Sequence, residues 1–392
     1  RDWSSDVCSS DLENGTFFFT ATTSTSGRYI VYDVNGTPEP EYLDVVENQD
    51  LHSIKTPDYL IISPAHLIKC ARQIKDLHPE LTTEVVTNTQ IYNEFSSGMT
   101  DVSALRDFIK YLYDKDSKKL KYVLLFGDGS IDNLTISDNN PNLIPTYQSA
   151  SSLNEDGQNS IVSDDFFGLL GDDEGEIFGG LDVGIGRLPV KNDAEAEAVI
   201  RKLKAYTKGD FSSSWRKTAV FIADDENSNI HNTQADFMAV ELENNHPEYD
   251  VRKIFIDAYK QESTAAGNTY PQAREDINRL LQQGAFSITY VGHGGMNFFA
   301  DERILTLSDI NAARNGARLP IFITASCNIG HFDYYDRNGD KTADSPAERL
   351  ILNPEGGAVA MFTTTREVLS SPNFALSKNI QKYLYSPKSD HG

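Results

Sequence analysis

The segment Ser287-Ile-Thr-Tyr-Val-Gly-His-Gly-Gly295 joins a short apolar run to a histidine framed by glycines. An apolar run of this length, bounded by turn residues, is typical of a strand that is buried on both faces. A second segment, Leu319-Pro-Ile-Phe-Ile-Thr-Ala-Ser-Cys327, has the same form and ends on a cysteine. The two segments predict neighbouring parallel strands, because they are separated by about one strand–crossover–strand unit. His293 and Cys327 would then lie on the same rim of one sheet, where open α/β sheets bind their ligands.

The same alternation of strands and helices continues on both sides of these two segments. Apolar runs predict strands at residues 59–62, 84–87, 122–126, 183–185, 219–222, 251–256, 286–291, 320–325 and 358–362. Apolar residues at helical spacing predict helices at residues 67–77, 102–113, 194–206, 233–244 and 273–283. Strands that alternate with helices pair in parallel through right-handed crossovers. The prediction is therefore an α/β fold of mostly parallel sheets, with helices on both faces.

Changes in composition divide the chain into four predicted segments. Residues 1–12 show no periodicity, and their back-translation looks like a common short-read sequencing adapter, so we expect an assembly artefact there. Residues 13–54 are rich in threonine, serine and tyrosine between turn signals, which predicts the end of a preceding β domain. A polar linker at residues 209–214 separates two α/β subdomains, residues 55–211 and residues 212–392. We expect the whole chain to be an internal fragment of a longer protein.

The composition argues against several classes of function. The 58 Asp+Glu against 35 Lys+Arg give a net charge of −23, which opposes nucleic-acid binding. No apolar run approaches the roughly 20 residues that span a bilayer. Three cysteines cannot form a disulfide framework, and they lack the short paired spacings of a zinc site. We therefore expect a globular, acidic protein with no nucleic-acid partner and no transmembrane segment in this chain.

Cys327 and His293 can together supply acyl-transfer chemistry. A free thiol, with a pKa of roughly 8.5, is mostly protonated at neutral pH, and an adjacent imidazole can accept its proton. The backbone amides of Gly294 and Cys327 would form the oxyanion hole. The alternative is that both side chains are structural, since a cysteine after a strand is often a small buried residue. Cys70 lies in the apolar stripe of its helix and Cys8 lies in the expected artefact, so Cys327 is the competent thiol.

Other segments extend the pattern around the histidine and the cysteine. These are Leu181-Asp-Val-Gly-Ile-Gly-Arg-Leu-Pro189, Tyr290-Val-Gly-His-Gly-Gly295 and Glu355-Gly-Gly-Ala-Val-Ala-Met-Phe-Thr-Thr-Thr-Arg366. With them, the chain from about residue 57 to its end resembles the gingipain family of cysteine peptidases, which has a caspase-like arrangement. The resemblance implies a catalytic domain of two α/β subdomains, with Cys327 as the nucleophile and His293 as its proton carrier.

The resemblance also implies a third residue, an acid that orients the histidine. It would come from the segment after the first strand of the second subdomain, where Asp225 and Glu226 are the candidates. In arginine-specific gingipains, an aspartate slightly downstream binds the basic side chain of the substrate. Asn229 takes that position in this sequence, so arginine specificity is not implied.

Within the gingipain family, the sortases of bacterial type IX secretion are the most similar. They imply cleavage of C-terminal signal domains from secreted cargo through a thioester, and transfer of the cargo to an amine of an anionic lipopolysaccharide. They also imply a peripheral position at the outer-membrane surface beside other type IX secretion components, and no cofactor for the chemistry. The sequence does not separate transfer from hydrolysis. A secreted gingipain-like endopeptidase and a non-catalytic component of the secretion machinery remain as alternatives.

The segment Asp336-Arg-Asn-Gly-Asp-Lys-Thr-Ala-Asp344 spaces oxygen ligands at alternate positions around a glycine. This pattern predicts a structural calcium loop with Asp336, Asn338, Asp340 and Asp344 as ligands. The twelfth position of a calcium loop carries a glutamate, whereas this segment has an alanine there. A solvated acidic loop is the alternative.

Overall fold

The computed structural model describes residues 12–13, 16–17, 36, 39, 41–42, 45–133, 140, 142–152, 160–176, 178–209, 212–265, 267–334 and 344–386. The chain forms two compact units, Arg1–Asn48 and Gln49–Gly392. In the first unit, two short strands pair in antiparallel fashion. The second unit contains both of the larger sheets and all the residues discussed below. The artefact at residues 1–12, the β-domain remnant at residues 13–54 and the linker boundary remain predictions.

The strands and helices follow the alternation that the sequence predicts. In chain order, the strands are β1 Leu12–Glu13, β2 Thr16–Phe17, β3 Tyr59–Ser63, β4 Thr83–Thr87, β5 Tyr122–Phe126, β6 Tyr147–Gln148, β7 Val162–Ser163, β8 Gly184–Leu188, β9 Thr218–Ala223, β10 Asp250–Phe255, β11 Glu262–Thr264, β12 Gly267–Thr269, β13 Ser287–Val291, β14 Phe298–Phe299, β15 Leu305–Thr306, β16 Ile321–Ala325 and β17 Ala360–Phe362. The α-helices are α1 Ile68–Ala71, α2 Asn88–Phe95, α3 Val102–Lys115, α4 Asp193–Thr207, α5 Ile230–Asn245, α6 Pro271–Gln283, α7 Leu307–Ala312, α8 Pro346–Leu352 and α9 Ser370–Tyr385.

Capping residues explain where several helices begin. The side chains of Asp101 and Asn192 accept backbone N–H groups of the first turns of α3 and α4. Reciprocal capping boxes, in which the cap residue and the third helical residue bond to each other, open α2, α7 and α8. These three helices were not predicted, because each is too short to show a clear helical period. The longer helix α9 was also missed.

Sheet 1, defined as β4-β3-β5-β8 in spatial order, is parallel throughout. Alternate residues of its strands point to opposite faces. Leu60 and Ile62 join a core beneath α2 and α3, whereas Ile61 and Leu124 face α1 and α4. The sheet is therefore covered on both faces, as its continuous apolar strands require.

Sheet 2, defined as β10-β9-β13-β16-β17, is also parallel throughout. Val220 and Ile288 join the same central core as the α1 and α4 face of sheet 1, and Phe221 faces α5 and α9. Lys202 of α4 reaches across to the end of α8 and donates to the carbonyl oxygens of Ile351 and Gly356 at 2.5 and 3.0 Å. The predicted α/β fold with mostly parallel sheets is confirmed, and the two sheets share one buried core.

Candidate active site

The strand register of sheet 2 places Cys327 opposite His293. Val291, the last residue of β13, pairs with Ala325, the last residue of β16. His293 and Cys327 each follow that pair by two residues, so they occupy equivalent positions beyond adjacent strands. Neighbouring strands are about 4.8 Å apart, which brings a thiol and an imidazole within mutual reach at the carboxyl rim. The proximity that was predicted from two separate apolar segments is a consequence of this register.

Close backbone packing at the rim requires glycine on both sides of His293. A Cβ atom on Gly294 would lie 2.3 Å from Ser326 Oγ and 2.8 Å from the carbonyl oxygen of Cys327. A Cβ atom on Gly292 would lie 2.4 Å from Cβ of Asp224. Any larger residue at either position would therefore push the histidine away from the two strand ends beside it.

The imidazole of His293 is oriented by the loop that follows β9. Its Nε2 atom lies 2.7 Å from Asn227 Nδ2 and 3.4 Å from Glu226 Oε2. Asp225, the other candidate acid, instead accepts a hydrogen bond from the hydroxyl of Tyr270. Of the two candidate acids, Glu226 therefore lies beside the imidazole, whereas Asp225 bonds to Tyr270. Because Nε2 faces Asn227 and Glu226, Nδ1 is the nitrogen left for the thiol, and it can accept a proton in the tautomer in which Nε2–H donates towards the Glu226 carboxylate.

Three consecutive residues of this loop adopt left-handed backbone angles. The φ angles of Asn227, Ser228 and Asn229 are +57°, +56° and +65°. Asparagine tolerates this region better than most residues, and such strain is often found at functional sites. The turn presents Asn227 to His293 and leaves Asn229 exposed just before α5. The role of Asn227 was not predicted, although an Asn-Ser-Asn run just after a strand is a visible signal for a tight turn.

Two buried side chains support His293 from below. Asp224 Oδ2 accepts the backbone N–H of His293 at 2.9 Å, and burial raises the pKa of Asp224 to about 6. The ring of His231 packs edge-on against that of His293 with 5.1 Å between the ring centroids. Burial, together with the neighbouring His293, lowers the pKa of His231 to about 4. His231 is therefore a neutral packing partner at physiological pH. Its supporting role, like that of Asp224, was not predicted.

Cys327 lies half-buried beside the segment that follows β17. The backbone N–H of Val368 donates to its Sγ atom at 3.4 Å, and Sγ lies 3.8 Å from the carbonyl oxygen of the same residue. Cys70, in contrast, is buried in the helical core, where burial and the nearby Asp193 raise the pKa of its thiol. The two described cysteines thus differ in access: the Cys70 thiol is buried, whereas the Cys327 thiol is partly exposed.

The segment at residues 363–366 follows β17 and bonds to the loop after β16. Thr364 donates to the carbonyl oxygen of Ser326, next to the candidate nucleophile. The guanidinium of Arg366 forms two hydrogen bonds, at 2.8 and 2.6 Å, with the fully buried Asp333. This bidentate ion pair fixes the backbone that carries Val368 to the sulfur.

Potential metal ligands in the described residues fall into three clusters. Two of them share Asp224: one adds His231 and His293, and the other adds Asp225 and Glu302. The third, Asp50 with His52 and Glu94, lies far along the chain from the rim residues.

The predicted calcium loop falls largely outside the described part of the chain. Asp336, Asn338 and Asp340 lie outside the described residues, whereas Asp344 lies inside them. Asp344 forms ion pairs with Lys191 at 2.5 Å and with Arg349 at 3.0 Å. Calcium binding by this loop remains a prediction.

Comparisons with known proteins agree with this geometry. The family model of peptidase family C25 matches residues 52–391. The solved complex of the pro- and mature domains of Porphyromonas gingivalis RgpB is similar, with a TM-score of 0.61, 18% identity, and coverage of 84% of this chain and 69% of that chain. The Arg-specific cysteine proteinase gingipain R, RgpB, gives a TM-score of 0.62 and 17% identity over 88% of this chain and 70% of that chain. These two similarities show a shared fold.

Another solved structure, dimeric latent PorU from Porphyromonas gingivalis, is 32% identical over 45% of this chain and 18% of that chain, with a TM-score of 0.40. No curated protein matches the chain. Within the described residues, none of the helices combines the length and apolar character needed to cross a membrane.

Proposed function

The chain belongs to peptidase family C25, the gingipain family of cysteine peptidases, and we propose that it acts as a sortase that removes C-terminal signal domains from secreted cargo. The observation that supports the chemistry is the register of sheet 2, which sets Cys327 opposite His293 on adjacent strands. The Glu226 and Asn227 contacts at Nε2 add an orienting pair. The sortase activity is supported by the sequence motifs around these residues.

In the proposed reaction, the sulfur of Cys327 attacks the carbonyl carbon before the signal domain. The thiol proton passes to Nδ1 of His293, and the carbonyl electrons move onto the oxygen, where backbone amides of Gly294 and Cys327 stabilise the negative charge. Collapse of this intermediate breaks the C–N bond, and His293 returns the proton to the departing amine. A thioester between the cargo and Cys327 remains.

The second half of the proposed reaction decides between a protease and a sortase. Water would release the cargo as a free acid, whereas an amine would displace the sulfur and form a new amide. An amine of anionic lipopolysaccharide is the proposed acceptor, and we place the enzyme at the outer-membrane surface beside type IX secretion components. Asn229 supports a substrate choice other than arginine, since its neutral carboxamide offers no charge to a guanidinium.

The experiment compares Cys327→Ala with the matched control Cys70→Ala, using a cargo protein that carries its C-terminal signal domain. We expect Cys327→Ala to abolish processing and Cys70→Ala to retain it, because only Cys327 lies on the rim. Mass spectrometry of the cargo, with and without an added amine, distinguishes transfer from hydrolysis. Unchanged processing by Cys327→Ala would show a non-catalytic component, and rapid turnover of generic peptides without the signal domain would show an ordinary endopeptidase.

A further inference from the structure

A group of three carboxylates lies at the rim of sheet 2 next to His293, whose backbone N–H one of them accepts. Asp224 follows β9 directly, Asp225 is the next residue, and Glu302 comes from the turn between β14 and β15. Each offers a carboxylate oxygen, and the three oxygens lie within 4.8 Å of one another. Asp224 is fully buried, and Glu302 is only 9% exposed. Negative charges at this separation repel strongly inside a protein unless a cation joins them.

These carboxylates have acceptor capacity that the protein does not use. One oxygen each of Asp224, Asp225 and Glu302 is buried and accepts no hydrogen bond from the described residues. Within the same residues, none of the three forms an ion pair with lysine or arginine. Burial raises the pKa of Glu302 to about 7, and the nearby aspartates add to that effect. Buried, unpaired acceptors of this kind are uncommon in folded proteins, and a bound cation is a usual reason for them.

We propose that Asp224, Asp225 and Glu302 bind a calcium ion next to the catalytic histidine. The donors are all oxygen, which calcium prefers, and its bonds of roughly 2.3–2.6 Å can reach three oxygens that lie within 4.8 Å of one another. Zinc commonly takes nitrogen and sulfur donors, and magnesium usually keeps several waters and binds one or two carboxylates, so three protein carboxylates match these ions less well. Asp225 is only half-buried, so the ion can enter beside it and complete its coordination with water.

The site would act on the catalytic histidine through two connections. Asp224 holds the backbone N–H of His293 with its other oxygen. Asp225 immediately precedes Glu226, whose carboxylate lies beside Nε2 of His293. An ion that holds the two aspartates together fixes the loop that orients the imidazole. This effect on activity rests on the proposed function, whereas the binding of calcium does not.

The test uses terbium, which replaces calcium and emits light when a nearby tyrosine is excited. Tyr270 bonds to Asp225, so terbium in this site lies near a tyrosine. We expect tyrosine-sensitised emission that calcium displaces, and a calcium affinity at least about tenfold weaker in Glu302→Gln. The matched control is the double variant Asp336→Asn and Asp340→Asn in the predicted calcium loop, which should keep the emission. Unchanged emission and calcium affinity in Glu302→Gln would overturn the proposal.

A second measurement separates lost binding from lost folding. Calcium should raise the thermal midpoint of the unmodified chain but not that of Glu302→Gln. Without calcium, Glu302→Gln should melt no lower than the unmodified chain, because the substitution removes a buried negative charge. A calcium-dependent rise of the same size in both proteins would contradict the site. Modification of Cys327 by a peptide ketone in the same samples tests the proposed function independently.

Discussion

The rims of the two sheets both carry a buried aspartate, but its surroundings differ. Asp128 follows β5 in sheet 1, and Nζ of Lys191 lies 3.4 Å from its carboxylate and 3.1 Å from that of Glu348. Burial disfavours the ammonium, yet the surrounding carboxylates hold the pKa of Lys191 above its ordinary value. Asp224 follows β9 in sheet 2 and holds the backbone of His293 instead of a lysine. The rim of sheet 1 therefore packs against α8 through an ion-pair network, whereas the rim of sheet 2 uses its aspartate to position the catalytic histidine.

The largest expected effect comes from breaking the junction at sheet 1. Lys191→Met leaves the buried Asp128 and Glu348 without their cation, while Asp344 keeps Arg349, and we expect the free energy of unfolding to fall by about 3–5 kcal/mol. Chemical denaturation measures this change. Lys204→Met is the control. Within the described residues the ammonium of Lys204 donates to the Gln73 side chain and forms no ion pair, so its loss should change stability by about 0.5 kcal/mol or less.

The corresponding change at sheet 2 should affect activity more than stability. In buffer free of divalent cations, Asp224→Asn keeps an oxygen that can accept the N–H of His293 and removes a buried charge. We expect the unfolding free energy to stay within about 1 kcal/mol of the unmodified chain. If Asp224→Asn and Lys191→Met lowered the free energy of unfolding by similar amounts, the two buried aspartates would have the same structural role, contrary to this comparison.

The next effect concerns the acid beside Nε2 of His293. Glu226→Gln removes the charge that stabilises the imidazolium, and we expect kcat to fall roughly 10²-fold with KM unchanged. Glu241→Gln, on an exposed position of α5, is the matched control. Steady-state kinetics on a processed peptide measures the change. If Asp225→Asn lowered kcat strongly and Glu226→Gln left kcat unchanged, Asp225 would be the acid that supports His293.

The sequence predicted the parts of the site that follow from strand order. Apolar runs and their spacing identified β13 and β16, and the register then brought His293 to Cys327. The sequence could not choose between Asp225 and Glu226, because the choice depends on a left-handed turn and on Tyr270, which lies far along the chain. Val368 and Glu302 were missed for the same reason. Each reaches the rim from a distant loop, and loop geometry leaves no periodic signal.

A smaller effect is expected at Asn227. Asn227→Gly removes the amide that contacts Nε2 of His293 and keeps a residue that accepts a positive φ without strain. In the state in which Nε2 carries the proton, rotation of the Asn227 carboxamide presents its oxygen to Nε2–H. We expect kcat to fall about 3- to 10-fold in Asn227→Gly, the value of that one hydrogen bond. Ser228→Gly changes the same turn without touching the histidine and serves as the control. If Asn227→Gly and Ser228→Gly lowered kcat equally, the backbone of the turn would be responsible and not the Asn227 side chain.

The smallest effect is a pH dependence of stability at Glu302. Its neighbours Asp224, Asp225 and Glu226 are all acidic, and burial raises its pKa from 4.5 to about 7. Between these values the folded state holds a proton that the unfolded state has released, so stability should fall as the pH rises through this range. In metal-free buffer, Glu302→Gln should show a smaller decline, because Asp224 and Glu348, whose pKa values burial also raises, still contribute theirs. Parallel stability curves for the two proteins from about pH 5 to 8 would contradict it.

The central claim is that the register of sheet 2 makes Cys327 the reactive thiol of this peptidase. An electrophilic peptide ketone, followed by digestion and mapping of the adduct, tests it most directly. We predict a single modification at Cys327 that is strongly slowed in His293→Ala, with Cys70 unmodified in its buried helix. An adduct at Cys70 with Cys327 untouched, or equal labelling rates with and without the imidazole, would contradict the account.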